Sequence, residues 1–103
     1  MASTIIYEVS CTVSPEVSDA FAAWLRHHVP EVAALPGFLE GRWGEQVGGA
    51  AGGARTFVCW YRLADAAAME RYFAVDAPRM RADGLRRFGE RYTATRRVIE
   101  ERS

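Results

Sequence analysis

Alternating apolar and polar residues near the start of the chain predict a strand with one buried face. Over residues 4–13, every second residue from Ile5 to Val13 is apolar, and the residues between them are mostly polar. Three further strands are predicted over residues 38–47, 55–63 and 90–99. A flexible, glycine-rich loop over residues 48–54 joins the second strand to the third.

Between the first two strands, the apolar residues change to the spacing of a helix. Ser14, Pro15 and Glu16 provide an N-cap, a proline at the first helical position and an acid in the first turn. Pro30 is expected to kink this helix, and residues 35–37 to end it. The face predicted to be buried spans an arc of about 100° and comprises Val17, Phe21, Trp24, Leu25, His28 and Val32.

A second helix is predicted after the third strand. Asp65 is its expected N-cap, and helical spacing continues through Phe73. Residues 76–78 are expected to interrupt it, and a further helical piece is predicted over residues 78–88. Asp76 would be the N-cap of that piece.

The resulting order, βαββαβ, is that of the ferredoxin-like fold in the α+β class. It predicts one domain over residues 1–103, in which two helical segments cover one face of a four-stranded antiparallel sheet. The other face would expose Val58 and Trp60. Because large apolar side chains on an open sheet face are unfavourable in water, we predict that this face packs against a second copy, which gives a homodimeric α/β barrel.

The charge pattern excludes some partners. Thirteen arginines balance thirteen acids, and lysine is absent. The zero net charge and the lack of an RNA-binding signature argue against a nucleic-acid partner. The balance is uneven along the chain: residues 1–70 hold four arginines against eight acids, and residues 71–103 hold nine against five. These complementary halves can pair within one protomer or between two copies.

Neither a signal peptide nor a membrane-spanning run is recognisable, so no membrane partner is predicted. Cys11 and Cys59 are too far apart in sequence for a metal knuckle or a redox pair. We therefore predict a cytoplasmic protein with two buried, reduced thiols.

Five motifs follow one another along the chain: Ile5-Ile6-Tyr7-Glu8-Val9, His28-Val29-Pro30-Glu31-Val32, Pro36-Gly37-Phe38, Ala77-Pro78-Arg79-Met80-Arg81 and Gly84-Leu85-Arg86-Arg87-Phe88-Gly89. Together they resemble a small bacterial family of unknown function in the dimeric α/β-barrel group. The resemblance implies a ferredoxin-like protomer and a homodimer whose sheets face each other. The wider superfamily includes antibiotic-biosynthesis-type monooxygenases and muconolactone-isomerase-like enzymes. Its enzymes usually bind small, often aromatic molecules between helices and sheet, many without a cofactor.

The closer family implies no catalytic residues, and this chain carries Asp76 where the family often has a histidine. His28 is nevertheless the main candidate for chemistry, because it projects from the buried face of the first helix and imidazole titrates near neutrality. The alternative is a buried neutral histidine that bonds a backbone carbonyl or a tyrosine hydroxyl. A ligand beside His28 is predicted to contact Trp24, Tyr7, Tyr61, Asp76 and Arg79.

Metal and anion sites have weaker support. His28 and Glu31 could offer half a metal site, but no second pair exists, so we predict no metal and no cofactor. The arginines of residues 79–97 could surround an anion if several converge, although their spacing favours a solvated surface or a dimer rim.

Two functions remain open. The first is a homodimeric α/β barrel that binds a small aromatic or anionic molecule between helices and sheet, as in a cofactor-independent monooxygenase- or isomerase-like enzyme. The second is a non-enzymatic dimerisation or interaction module, for which the helix–sheet interface should be closed and without a cavity.

Overall fold

The computed structural model describes residues 3–102, and its elements follow the predicted order. The strands are β1 (Ile5–Val13), β2 (Phe38–Glu45), β3 (Arg55–Leu63) and β4 (Tyr92–Glu100). The helices are α1 (Ser18–Ala33), α2 (Ala66–Arg71) and α3 (Ala77–Phe88). Short 3-10 turns lie at Pro15–Val17, Ala51–Gly53 and Gly89–Arg91.

The four strands form one antiparallel sheet in the order β2-β3-β1-β4. This topology confirms the predicted α+β, ferredoxin-like fold. β1 is central, so Tyr7 lies between Tyr61 of β3 and Val98 of β4. Because side chains alternate between the two faces of a sheet, the paired residues Tyr7, Tyr61 and Val98 lie on the same, helix-covered side.

The core lies between the helices and the sheet. α1 packs over β2 and β3, and α2 packs against β3, whereas α3 approaches β4 less closely. The buried core residues are Ile5, Tyr7, Cys11, Val13, Phe21, Leu25, Val29, Val32, Phe57, Cys59, Tyr61, Leu63, Met69, Tyr72, Ala77 and Met80.

The helix ends agree only in part with the capping signals. Asp65 caps α2 as predicted, because its carboxylate accepts a bond from the Ala68 N–H at 2.9 Å. Ser14 makes no such bond; instead the Ser18 hydroxyl donates to the Ser14 carbonyl at 2.9 Å. α1 continues through Pro30 to Ala33.

The predicted interruption at residues 76–78 is wrong, because a π-helical turn (Tyr72–Asp76) joins α2 directly to α3. Pro78 lies in the first turn of α3, and a proline ring clashes with the carbonyl four residues before it. The wider π turn relieves that clash without ending the helix. The predicted capping role of Asp76 is also wrong, since its side chain makes no capping bond.

The second face of the sheet carries no helix, and large apolar side chains are exposed on it. Trp60 is 37% exposed and Ile99 is 38% exposed. An ion pair between Arg97 and Glu8, at 2.9 Å, joins the acidic and basic halves of the chain across this face. Within residues 3–102, no helix is both long enough and apolar enough to cross a membrane.

Candidate functional site

A cavity of about 50 Å³ lies between the helices and the sheet. The sheet contributes Tyr7, Val9, Cys11, Cys59, Tyr61, Tyr92 and Arg96 to its walls. The helical side contributes Phe21, Trp24, Leu25, His28, Tyr72, Met80 and Arg81.

His28 reaches this cavity as one partner of a stacked ring pair. It lies one helical turn after Trp24, and the two rings stack with centroids 4.1 Å apart and planes at 21°. The indole N–H of Trp24 donates to Asp83 of α3 at 3.0 Å, which fixes the orientation of the indole ring. Asp83 also accepts bonds from Arg86 at 2.5 Å and Arg87 at 3.1 Å. Asp83 therefore positions His28 indirectly, by holding the ring on which it stacks.

Gly84 allows α3 to lie this close to the ring pair. A Cβ atom at position 84 would lie 3.1 Å from the Trp24 ring and 2.8 Å from the Tyr92 hydroxyl. Such distances are shorter than normal van der Waals contacts, so a larger residue would push one of the two aromatic rings into the cavity or away from it.

Burial keeps the His28 imidazole neutral. Desolvation lowers its pKa below the ordinary 6.5, against the opposing negative charges of Glu31 and Asp83. Within residues 3–102, no hydrogen bond joins this imidazole to another residue, so the predicted alternative of a histidine bonded to a carbonyl or hydroxyl is not what the structure shows. A neutral imidazole with free nitrogens can accept a proton from a bound molecule.

The lowered His28 pKa makes stability depend on pH. Because the unfolded chain takes up the His28 proton at a higher pH than the folded chain, the free energy of unfolding should decrease as pH falls through 6.5 towards the folded pKa. We expect urea unfolding between about pH 7.5 and about pH 5.5 to show this decrease in the wild type. In His28→Gln the decrease should be smaller. His27→Gln, which changes the adjacent exposed histidine, should behave as the wild type; equal pH slopes in all three proteins would contradict the assignment.

A tyrosine cluster forms the opposite wall. Tyr7 stacks on Tyr61 with centroids 6.0 Å apart and lies 5.8 Å from Tyr72 and 5.5 Å from Phe73. The π turn brings the consecutive residues Tyr72 and Phe73 to the same tyrosine. Burial raises the pKa of Tyr72 to about 12, so its hydroxyl stays protonated at neutral pH and can act as a donor.

Two thiols lie in the sheet wall of the cavity. Cys11 and Cys59 are buried and free, as predicted. Burial raises the pKa of Cys11 to about 11 and that of Cys59 to about 12. Because the thiolate is the reactive form, these protonated thiols are poor nucleophiles and serve as wall atoms.

The cavity brings together only some of the residues predicted to form a site. Tyr7, Trp24 and Tyr61 line it with His28. Asp76 and Arg79 are not among its wall residues and instead pair with each other at 3.1 Å. The prediction for Asp76 assumed that the helix keeps its phase from Met69 through Phe73, whereas the π turn at Tyr72–Asp76 changes that phase.

Sequence reasoning missed three residues of this region. The sequence carries no signal that Asp83 holds Trp24, and the spacing of Arg81 and Arg96 favours a solvated surface. The alternation of β4 could have indicated Arg96, because Arg96 shares a sheet face with Tyr92 and Ala94. Among residues 3–102, no group of three or more His, Cys, Asp or Glu side chains could hold a metal ion.

Residues 4–102 match the protein family described as Domain of unknown function (DUF4286). No curated protein matches the chain. Among solved structures, the chain is similar to SnoaB, a cofactor-independent oxygenase from Streptomyces nogalater, at 17% identity and a TM-score of 0.65, over 99% of this chain and 96% of that one. It is also similar to a candidate antibiotic biosynthesis monooxygenase from Deinococcus radiodurans, at 17% identity and a TM-score of 0.76, over 96% and 93% of the two chains. A Pseudomonas aeruginosa protein matches at 16% identity and a TM-score of 0.75, over 100% and 98%. These likenesses show a shared fold.

Proposed function

Since the chain belongs to the DUF4286 family, to which no activity is assigned, we propose a function from its own cavity. The cavity binds a small aromatic molecule, and His28 acts on it as acid or base. The fold relatives of the chain include an oxygenase. The observation that carries the proposal is the neutral imidazole stacked 4.1 Å from Trp24 in an aromatic-walled cavity. Apolar walls with a few polar groups are the usual composition of a small-molecule site.

The volume of the cavity limits the size of the ligand. Ligand pockets usually enclose roughly 300–1,000 Å³, whereas this cavity has about 50 Å³. A molecule with one aromatic ring can enter only if side chains of the cavity wall move outwards. A non-enzymatic module would need no space between helices and sheet, so the cavity supports the ligand-binding function over that alternative.

The chemistry available at His28 is proton transfer. The neutral imidazole can take a proton from the carbon beside a ligand carbonyl, and the bonding electron pair then moves onto the carbonyl oxygen to form an enolate. The protonated Tyr72 hydroxyl can donate to that oxygen. Trp24 and His28 also line a groove between α1 and α3 on the outer surface, where water can exchange the proton. Return of the proton to another carbon is an isomerisation, and an enolate is electron-rich enough to react with oxygen.

The proposal includes a homodimer formed through the uncovered sheet face. Trp60 and Ile99, together with the half-buried Val58 and Ile6, make this face apolar around the ion pair of Glu8. A second copy would cover these side chains and remove their apolar surface from water. The cavity lies on the opposite side of the sheet, so the dimer would leave it accessible.

Exchange of carbon-bound hydrogen tests the role of His28 directly. The probe is 2-indanone, a small aromatic ketone, and NMR in D2O measures how fast deuterium replaces the hydrogens beside its carbonyl. We expect the wild type to accelerate exchange over buffer and His28→Gln to lose about 100-fold of that acceleration, since a positioned acid or base contributes about 10²–10⁴-fold. His27→Gln is the matched control and should retain full activity. Absence of acceleration by the wild type, or full activity of a folded His28→Gln, would overturn the proposal.

A further inference from the structure

Two arginines in the cavity wall have no acidic partner. Arg81 comes from α3 and Arg96 from β4. In the part of the chain that the structure describes, no ion pair joins either guanidinium to an Asp or Glu. Nearby arginines are paired: Arg79 with Asp76, Arg86 with Asp83 and Arg97 with Glu8. Arg26, Arg42 and Arg91 make no ion pair in the described residues either, but only Arg81 and Arg96 among the unpaired arginines line the cavity.

Strand alternation explains why Arg97 forms an ion pair and the adjacent Arg96 does not. Arg97 lies opposite Glu8 on the uncovered face, where the carboxylate binds it at 2.9 Å. Arg96 lies opposite Val9 on the helix-covered face, where it is exposed at the edge of the cavity. Consecutive arginines thus point to opposite sides of the sheet, and only one of them meets a carboxylate.

Arg81 reaches the same region from the helical side. Its guanidinium carbon lies 5.7 Å from the centre of the Phe73 ring, and its Nη2 lies 3.5 Å from the Tyr7 hydroxyl. A separation of 3.5 Å is at the outer limit for a hydrogen bond, so most of the donor capacity of this group is unused. The positive charges of Arg81 and Arg96 both lower the pKa of Tyr72, against its burial, which agrees with their convergence near that hydroxyl.

Arg81 and Arg96 are both exposed at the edge of the cavity, where a bound anion can approach the two guanidinium groups. The acids nearest in sequence are already occupied, since Asp76 binds Arg71 and Arg79, and Asp83 binds two arginines and Trp24. A guanidinium group presents paired N–H donors that match the two oxygens of a carboxylate. The charge of Asp76 also acts on Tyr72, but this carboxylate pairs with Arg71 and Arg79. A bound carboxylate would supply a negative charge directed at Arg81 and Arg96.

We infer that the ligand of this cavity is an aromatic carboxylate, whose carboxylate group lies between Arg81 and Arg96 while its ring packs towards Tyr7 and Trp24. This inference rests on the proposed function, because it assigns the charge of the molecule that the cavity binds. The arginines are binding residues, and the proton transfer remains with His28.

Paired fluorescent probes separate the charge of the ligand from its ring. Salicylate carries the carboxylate, and salicylamide is its neutral counterpart of almost the same shape. We expect the wild type to bind salicylate about tenfold more tightly than salicylamide, and Arg81→Gln or Arg96→Gln to weaken salicylate binding about tenfold with little effect on salicylamide. Arg26→Gln, on the exposed side of α1, removes the same charge away from the cavity and should leave both affinities unchanged.

Each other result has a defined meaning. Equal affinities for the two probes, or a salicylate preference that survives both cavity variants, overturn the carboxylate site but leave aromatic binding intact. An effect of Arg26→Gln as large as that of the cavity variants also overturns it, because net charge alone would then explain the preference. Failure of both probes to bind overturns the proposed function together with this inference. Circular dichroism verifies that the variants fold.

Discussion

Trp60→Arg is expected to convert a dimer into a monomer, seen in light scattering as a fall from about twice the 11.5 kDa chain mass to that mass. Trp60 lies on the uncovered face of β3, opposite Glu8 and Arg42 of the neighbouring strands. Its ring passes over Gly44, where a Cβ atom would lie 3.9 Å from it. In the proposed dimer, the substitution would bury a guanidinium group in the interface, which costs several kcal/mol because Glu8, the acid opposite it, is already paired with Arg97.

The substitution should not disturb the fold, because Trp60 is not part of the core between helices and sheet. Val47→Arg is the matched control: Val47 is 97% exposed beyond the end of β2, so the same change in charge and size there should leave the dimer intact. A wild-type protein that is monomeric at all concentrations, or a Trp60→Arg protein that stays dimeric, would show that the sheet face is not the interface.

Phe21→Ala is expected to lower the free energy of unfolding by about 3–5 kcal/mol, the range for truncating a buried aromatic residue. Phe21 is 0% exposed. Its ring centroid lies 4.9 Å from that of Phe88, 5.1 Å from that of Tyr92 and 5.4 Å from that of Trp24. Truncation removes these contacts and leaves a void beside the existing cavity. A domain of this size is stable by roughly 5–15 kcal/mol, so the variant should be close to unfolding.

Urea unfolding curves measure this loss, with Leu85→Ala as the control. Leu85 is a large apolar residue of α3, but it is 59% exposed, so its truncation should change stability by no more than about 0.5 kcal/mol. Similar losses in the two variants would mean that the aromatic cluster around Phe21 does not hold α1 and α3 on the sheet.

Much of the candidate site was predictable, because strand and helix periods determine which residues share a face. The alternation of β1 placed Tyr7 on the buried side, and helical spacing placed Trp24 and His28 together. The direction of Asp76 was not predictable from the helical period, since a π turn changes the direction of every side chain that follows it. No residue pattern in the sequence marks such a turn unambiguously.

The order of elements, the ferredoxin-like fold and the buried face of each strand follow from the residue pattern, because they depend on local periodicity and on the signals that end each element. Which charged residues meet depends on the assembled fold. Arg96 and Arg97 are adjacent in the chain. Strand pairing places Arg97 beside Glu8, whereas Arg96 lies at the cavity with Arg81. Distances between residues on different elements depend on register and helix phase, which are set only when the whole sheet is assembled.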